Sequence, residues 1–320
     1  MRSVELGTTG IEVSEFFFGA GGIGGVGSAA STRGRGLSLT DGIARLDEAY
    51  DLGIRVVDTA NSYGGGASEE AVGRWLGERE PEGALVASKV GAPVERGQDA
   101  VDLSAAHIPR QLSASIRRLG SVDLYLTHAP DPATPLPETL AAFAFALDAG
   151  LIRSYGVSNV TPWNLEAVLS VADAEGLPRP GWVQNSFSLL VRADERDLLP
   201  LAAGEGLGYT PYSPLAGGLL SDRYLGGVEP RPGSRLDVAR AFYADVYTDG
   251  ALERVALLAM LARDFDVSTA GLALAWLRHH PLITAPIVSP HHSGQWDAVH
   301  EALALDLSDE DADHIARLFD

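Results

Sequence analysis

Ile54-Arg55-Val56-Val57-Asp58-Thr59-Ala60-Asn61-Ser62-Tyr63 opens as a short apolar run, stops on a carboxylate and reaches a phenol shortly after. The pattern returns twice. Ala84-Leu85-Val86-Ala87-Ser88 stops at Lys89, and Val122-Asp123-Leu124-Tyr125-Leu126-Thr127 stops at His128. Runs of this length and composition read as strands. In a barrel of parallel strands, the residue closing each strand points into one shared mouth, so distant residues converge on one substrate. Asp58, Tyr63, Lys89 and His128 are therefore the candidate catalytic set.

Outward from these runs, strand-like and helix-like segments alternate regularly. The spacing predicts a hairpin of Val4-Glu5-Leu6 and Ile11-Glu12-Val13 around Thr8-Thr9-Gly10. It then predicts strands over 15–19, 54–58, 84–89, 122–127, 152–157, 181–185, 207–212 and 284–288. Helices fall at 40–52, 68–79, 104–119, 137–149, 161–175 and 195–205, in two stretches between 251 and 279, and near 293–303 and 308–319. Thr161-Pro162 marks a helix start, and Ser308-Asp309-Glu310-Asp311 places acids in a first turn. Such alternation implies parallel strands with helical crossovers, and eight units favour closure. The expectation is a single α/β domain over 1–320, a (β/α)8 TIM barrel with an N-terminal β-hairpin and extra C-terminal helices. Two long segments, the Gly/Ser/Arg-rich 20–39 and the Gly/Pro-rich 216–250, interrupt the rhythm and are expected on the active face.

Composition narrows the function. Charged residues sum to −19, which argues against nucleic acid or an anionic membrane as partner, since both need a basic footprint. An anionic cofactor would need a local cationic or amide-rich patch. There is no cysteine, so thiolate chemistry and disulfides are excluded. No stretch approaches the length of a bilayer-spanning helix, and Met1-Arg2-Ser3-Val4-Glu5 lacks the apolar core of a secretory signal, so a cytoplasmic location is expected. No coiled-coil heptad or apolar stripe marks an assembly surface.

Gly19-Ala20-Gly21-Gly22-Ile23-Gly24 matches the G-x-G-x-x-G dinucleotide fingerprint. The fingerprint works only where a helix opens among the glycines and its N-terminus meets the pyrophosphate. Here Gly25-Val26-Gly27-Ser28 continues as loop and no acid closes a strand at the required distance, so the match reads as a decoy. His291-His292 raises the question of a metal, but adjacent histidines seldom face one ion and no third ligand accompanies them. No metal site is expected.

The stronger signal is cumulative. Asp58, Lys89, His128, Ser158 with Asn159, Gln184 with Asn185, Tyr212 with Ser213, and Ser289 all come at or just after predicted strand ends. Any one alone would read as a cap or a satisfied loop residue. Together they outline a site. A phenol holds its proton tightly at neutral pH, and an adjacent ammonium stabilises the phenolate; Tyr63 with Lys89 supplies that pair. A buried ammonium needs a counter-charge, which Asp58 provides. His128 can donate to a carbonyl oxygen and orient it. The set reads as a proton-donating pocket for a carbonyl whose carbon receives a hydride.

On these residues the chain resembles the aldo-keto reductase superfamily along essentially its whole length. The tetrad of that family looks like Asp58, Tyr63, Lys89 and His128, within Val57-Asp58-Thr59-Ala60-Asn61-Ser62-Tyr63-Gly64 and Leu126-Thr127-His128-Ala129-Pro130-Asp131. Gly156-Val157-Ser158-Asn159, Val183-Gln184-Asn185 and Tyr212-Ser213-Pro214-Leu215-Ala216-Gly217-Gly218-Leu219-Leu220 are similar to its cofactor motifs. The His-Ala-Pro-Asp and Pro-Leu-Ala-Gly-Gly-Leu-Leu strings are similar to its aflatoxin-aldehyde-reductase-like branch.

The resemblance implies an NADPH-dependent reductase of an aldehyde or ketone, with Tyr63 as proton donor. It further implies that Ser158, Asn159 and Gln184 bind the nicotinamide carboxamide, that Tyr212 stacks on the ring, and that Ser213, Leu215 and Gly217 line the pyrophosphate. Ser289, His291 and Gln295 would lie toward the adenosine end. There the chain departs from the family: His291 stands where Arg is expected and Val299 replaces Asn. Imidazole holds phosphate less firmly than a bidentate guanidinium, which leaves NAD(H) open beside NADP(H).

Two other functions stay in view. Lys89 at a strand tip could form a Schiff base, as in barrel aldolases, although a charged partner at Asp58 opposes it. Some reductase-like chains are channel-associated regulatory subunits that hold nicotinamide and turn over little. Substrate identity is not written in the motifs. Ala129, Arg33, Arg35, Phe242, Tyr243 and Tyr247 are the residues expected to shape the pocket.

Overall fold

The computed structural model describes residues 1–94, 98 and 100–320. The hairpin pairs β1 (Ser3–Glu5) with β2 (Glu12–Ser14), Val4 opposite Val13. The remaining strands are β3 (Phe17–Gly19), β4 (Val56–Asp58), β5 (Leu85–Val90), β6 (Leu124–Thr127), β7 (Ser154–Ser158), β8 (Trp182–Gln184), β9 (Gly208–Tyr209) and β10 (Ile287–Val288). They form one parallel sheet in the order β10-β3-β4-β5-β6-β7-β8-β9. The sheet curls until its two edges meet: the Thr284 N–H donates to the Tyr209 carbonyl at 2.8 Å and the Ile287 N–H to the Pro211 carbonyl at 2.9 Å.

Helices flank the strands as expected, and their starts carry the expected signals. Thr161 caps Pro162–Glu175, its hydroxyl accepting from the Asn164 N–H while the Asn164 side chain returns to the Thr161 N–H. Ser308 caps Asp309–Arg317 in the same reciprocal way. Each satisfies N–H groups that the first helical turn leaves unpaired. After β10 two helices, Asp297–Ala304 and Asp309–Arg317, complete the described chain. Among the described residues no helix is long and apolar enough to cross a membrane.

Side-chain alternation explains where the polar strand ends go. Successive side chains along a strand point to opposite faces. Val56, Ala87, Leu124 and Leu126 join Phe17, Trp182 and Ile287 inside the barrel. Val57, Val86 and Tyr125 belong instead to the core between strands and helices. Asp58 is two residues beyond Val56, Lys89 two beyond Ala87 and His128 two beyond Leu126, so all three sit on the inner face above an apolar plug. Leu6, Ile11 and Val13 of the hairpin complete that plug from below. Gly7 makes this approach possible, because its φ is +58° and an added Cβ would lie 2.4 Å from the Gly208 nitrogen.

Three expectations needed refinement. The seventh and eighth barrel strands shrink to β9 and β10, since Pro211 and Pro286 lie within the predicted spans and have no N–H to donate to a ladder. The segment 216–250 is not a bare loop: it contains a short helix, Arg235–Val238, capped by Ser234, and buries Leu236 and Tyr243. The segment 20–39 returns on itself through a bridge between Ile23 and Leu37, and the next α-helix starts only at Leu39. No helix opens within Gly19–Gly24, so the dinucleotide fingerprint is a decoy.

Candidate active site

Strand register brings the candidate set together. Asp58 pairs with Ala87, and Lys89 pairs with Leu126, so each polar residue stands two positions above its neighbour's inner-face partner. That stagger accompanies barrel closure. Lys89 Nζ donates to Asp58 Oδ1 at 2.5 Å, to the Thr59 carbonyl at 3.0 Å and to Tyr63 Oη at 3.1 Å. These three bonds match the three protons of an ammonium. Burial favours the neutral amine, but the charge of Asp58 and the interaction with Tyr63 outweigh it and hold the Lys89 pKa above the usual lysine value. The lysine is a fixed cation.

Tyr63 follows β4 in a tight turn, Tyr63–Gly66, in which Gly64, Gly65 and Gly66 all have positive φ. Gly21 lies against its ring, where an added Cβ would come within 3.2 Å of Cε2. The helix Ala67–Arg79 then anchors the turn. Ser68 Oγ donates to the Ala20 carbonyl at 2.8 Å, while the fully buried Glu69 accepts from Ser88 Oγ at 2.5 Å and from Arg118 Nε at 2.6 Å. Ser88 precedes Lys89, so this brace ties the Tyr63 turn to the strand that carries the lysine.

His128 sits at the rim, partly exposed, its ring perpendicular to that of Tyr63 at 5.5 Å between centroids. Its surroundings nevertheless oppose the imidazolium: burial first, then the Lys89 charge, lower its pKa to about 3. The ring is neutral at physiological pH. Its Nδ1 faces Ser62 Oγ at 3.5 Å.

The expected cofactor residues form a connected polar ledge. Asn159 Nδ2 donates to the His128 carbonyl at 2.7 Å and to Ser158 Oγ at 3.2 Å, and its Oδ1 accepts from Tyr212 Oη at 2.6 Å. Ser158 Oγ donates to the Gln184 carbonyl at 2.6 Å. Gln184 Nε2 reaches across the mouth to Asp58 Oδ2 at 2.9 Å. Asn159 has φ +57° and Ser213 φ +56°, positions where the backbone turns sharply at strand ends. Asn185, by contrast, is structural, bonding both backbone groups of Val160 and the Asp194 carboxylate.

At the far end, Ser289 Oγ donates to the Gly19 carbonyl and Gln295 accepts from the His291 N–H, both at 2.6 Å. The His291 ring packs on Gly22, whose added Cβ would lie 2.9 Å from Nε2. Although the residue has an exposed edge, burial and then the charges of Arg235, His292 and Arg223 lower its pKa. Val299 is buried in the core, so it faces packing rather than a ligand. Tyr243 covers Gly217, with Oη 3.3 Å from Ser213 Oγ, and Leu215 is partly buried against the core.

Arg223 and Arg235 are the residues that motif reading missed. Both come from 216–250 and both act electrostatically on His291. Among the described residues neither has an ion-pair partner. The segment carries four arginines, Arg223, Arg231, Arg235 and Arg240, among five acids, so nothing in the sequence singled out these two. Both lend positive potential to the surroundings of His291. Among the described residues no group of three or more His, Asp or Glu side chains is placed to hold a metal.

The barrel mouth thus gathers Asp58, Tyr63, Lys89 and His128 beside a connected polar ledge. A family model for the aldo/keto reductase family matches residues 21–320, and the chain belongs to that family. It is similar to the uncharacterized oxidoreductase YrpG of Bacillus subtilis (strain 168), 33% identical over 97% of this chain and 93% of the relative. It is also similar to the protein tas of Escherichia coli (strain K12), 32% identical over 89% of this chain and 91% of the relative. A third relative, a probable voltage-gated potassium channel subunit beta of Oryza sativa subsp. japonica, is 30% identical over 96% of this chain and 92% of its own length.

Proposed function

We propose that the protein is an NADPH-dependent reductase of aldehydes or ketones, reversibly an alcohol dehydrogenase, with Tyr63 as proton donor. The observation that carries this reading is the Lys89 ammonium, held between Asp58 and the Tyr63 hydroxyl. As negative charge develops on the carbonyl oxygen, Tyr63 donates its proton there, and Lys89 stabilises the charge left on the phenol oxygen. Asp58 fixes the ammonium in place, and His128 donates to the same carbonyl oxygen and sets its direction. When bound, the reduced nicotinamide supplies the hydride.

The residues present fit such a cofactor. Ser158, Asn159 and Gln184 offer amide and hydroxyl groups for the carboxamide, and the Tyr212 ring offers an aromatic face. Ser213, Leu215 and Gly217 would border the diphosphate, with Ser289, His291 and Gln295 beyond. Arg223 and Arg235 compensate for the weak cation at His291, which supports NADP(H) over NAD(H). The Schiff-base reading fits poorly, because an ammonium with all its protons engaged has no lone pair for attack.

The test is Tyr63→Phe, assayed by consumption of reduced nicotinamide with an activated aldehyde. Turnover falls by at least about a hundredfold while cofactor binding, followed by fluorescence quenching, is preserved. Retained turnover in that variant removes Tyr63 from its role. A wild-type chain that binds cofactor tightly yet stays inactive across a broad carbonyl panel favours the regulatory-subunit reading; the Oryza relative is named a probable channel subunit.

A further inference from the structure

His128 poses a question that the four-residue set leaves open. A neutral imidazole carries a single N–H, and the nitrogen that bears it is selected by what the other nitrogen meets. Only the Nε2–H form can donate to a carbonyl through Nε2. Among the described residues Nε2 has no hydrogen-bond partner, whereas Nδ1 faces Ser62 Oγ at 3.5 Å. Lys89, the charged group facing the ring, adds its own opposition to a doubly protonated ring.

The geometry points to Ser62 as the positioning residue that sets the His128 tautomer: its hydroxyl donates to Nδ1, Ser28 supplies the hydrogen bond behind it, and the imidazole proton is kept on Nε2, facing the substrate.

Ser62 is fully buried, so its hydroxyl proton has no route to bulk water. Its oxygen lies 2.8 Å from Ser28 Oγ and 3.5 Å from His128 Nδ1. A three-member chain of this kind runs in one of two directions. If Ser28 donates to Ser62 and Ser62 to Nδ1, then Nε2 keeps the proton. If Nδ1 donates to Ser62, then Nε2 is an acceptor and repels a carbonyl oxygen. The 3.5 Å separation is long for the free protein, and such bonds tighten when substrate aligns the ring.

Ser28 is held in register for this task. The neighbouring Gly27 donates through its N–H to the Gly21 carbonyl at 2.7 Å and accepts at its carbonyl from the Gly64 N–H at 3.4 Å. Gly64 follows Tyr63, so the segment 20–39 is tied to the proton donor and to the carbonyl orienter at once. This inference rests on the carbonyl-reducing reading for its purpose, but its physical content, the tautomer, is measurable without turnover.

The experiment uses the full chain with nitrogen-15-labelled histidine, assigning the His128 ring by its loss in His128→Gln. In the wild-type protein the ring nitrogen shifts report mainly the Nε2–H form; in Ser62→Ala they move toward a mixture, while Ser62→Thr restores the wild-type pattern. Ser28→Ala gives a smaller change in the same direction. Turnover in Ser62→Ala falls about tenfold, the rate worth of one hydrogen bond, with cofactor affinity unchanged. An Nδ1–H ring in the wild-type protein, or the same tautomer in wild type and Ser62→Ala, overturns the inference. Absence of carbonyl turnover in the wild type, with the tautomer switch intact, overturns the functional reading alone.

Discussion

Gln184 Nε2 donates to Asp58 Oδ2 at 2.9 Å, while Oδ1 of the same carboxylate receives Lys89 Nζ at 2.5 Å. One buried carboxylate therefore joins the Lys89-Tyr63 half of the mouth to the ledge proposed to hold nicotinamide.

Replacing Gln184 by Leu leaves Asp58 Oδ2 buried and unpaired. Equilibrium unfolding in urea would show a loss of about 1–3 kcal/mol, the cost of an unsatisfied buried acceptor. Turnover would fall more than cofactor affinity does, because the Asp58-Lys89-Tyr63 alignment slackens. Unchanged stability with a selective loss of cofactor binding would mean that the Asp58 contact contributes nothing.

Acid should act on stability through His128. Its pKa is lowered from 6.5 to about 3 by burial and by Lys89. Above the unfolded value the ring is neutral in both states. Between that value and about 3, only the unfolded chain takes up the proton, so stability declines as pH falls across this window, by at most about 1.4 kcal/mol per unit. Solvent at the exposed ring edge reduces that slope. Unfolding curves of wild type and His128→Gln between roughly pH 7 and pH 5 should diverge, the wild type losing more; parallel curves would show that the ring titrates normally.

Arg235→Ala should weaken NADPH by about tenfold and NADH by less, since NADPH carries one more phosphate for the guanidinium to meet. Arg235→Lys should keep part of the difference. Added salt should shrink it, because Arg235 is partly open to screening. Equal losses for both cofactors would place Arg235 away from the distinguishing phosphate and leave His291 and Arg223 to account for it.

Much of this architecture was readable in one dimension. Period-two alternation put Val56 and Asp58, Ala87 and Lys89, and Leu126 and His128 on common faces, and the repeating strand-helix rhythm implied a barrel. The Thr161 and Ser308 caps were visible because capping depends on neighbours three residues away. The trimmed ends of β9 and β10 were legible too, had Pro211 and Pro286 been weighed against the apolar pattern. The short helix Arg235–Val238 was not, because its stability comes from burying Leu236 and from the Ser234 cap rather than from any long period.

The site divides along the same line. The sequence by itself determined which residue types close each strand and therefore which chemistry is available, because that information is local and strand alternation converts it to a facing direction. Tertiary structure alone decided that Gln184 reaches Asp58, that Ser28 stands behind Ser62, and that the charges of Arg223 and Arg235 act on His291. Those relationships depend on barrel stagger and on how two long segments fold back over the mouth. Neither leaves a periodic trace in the chain, because contacts between residues far apart in sequence are set by packing geometry rather than by spacing.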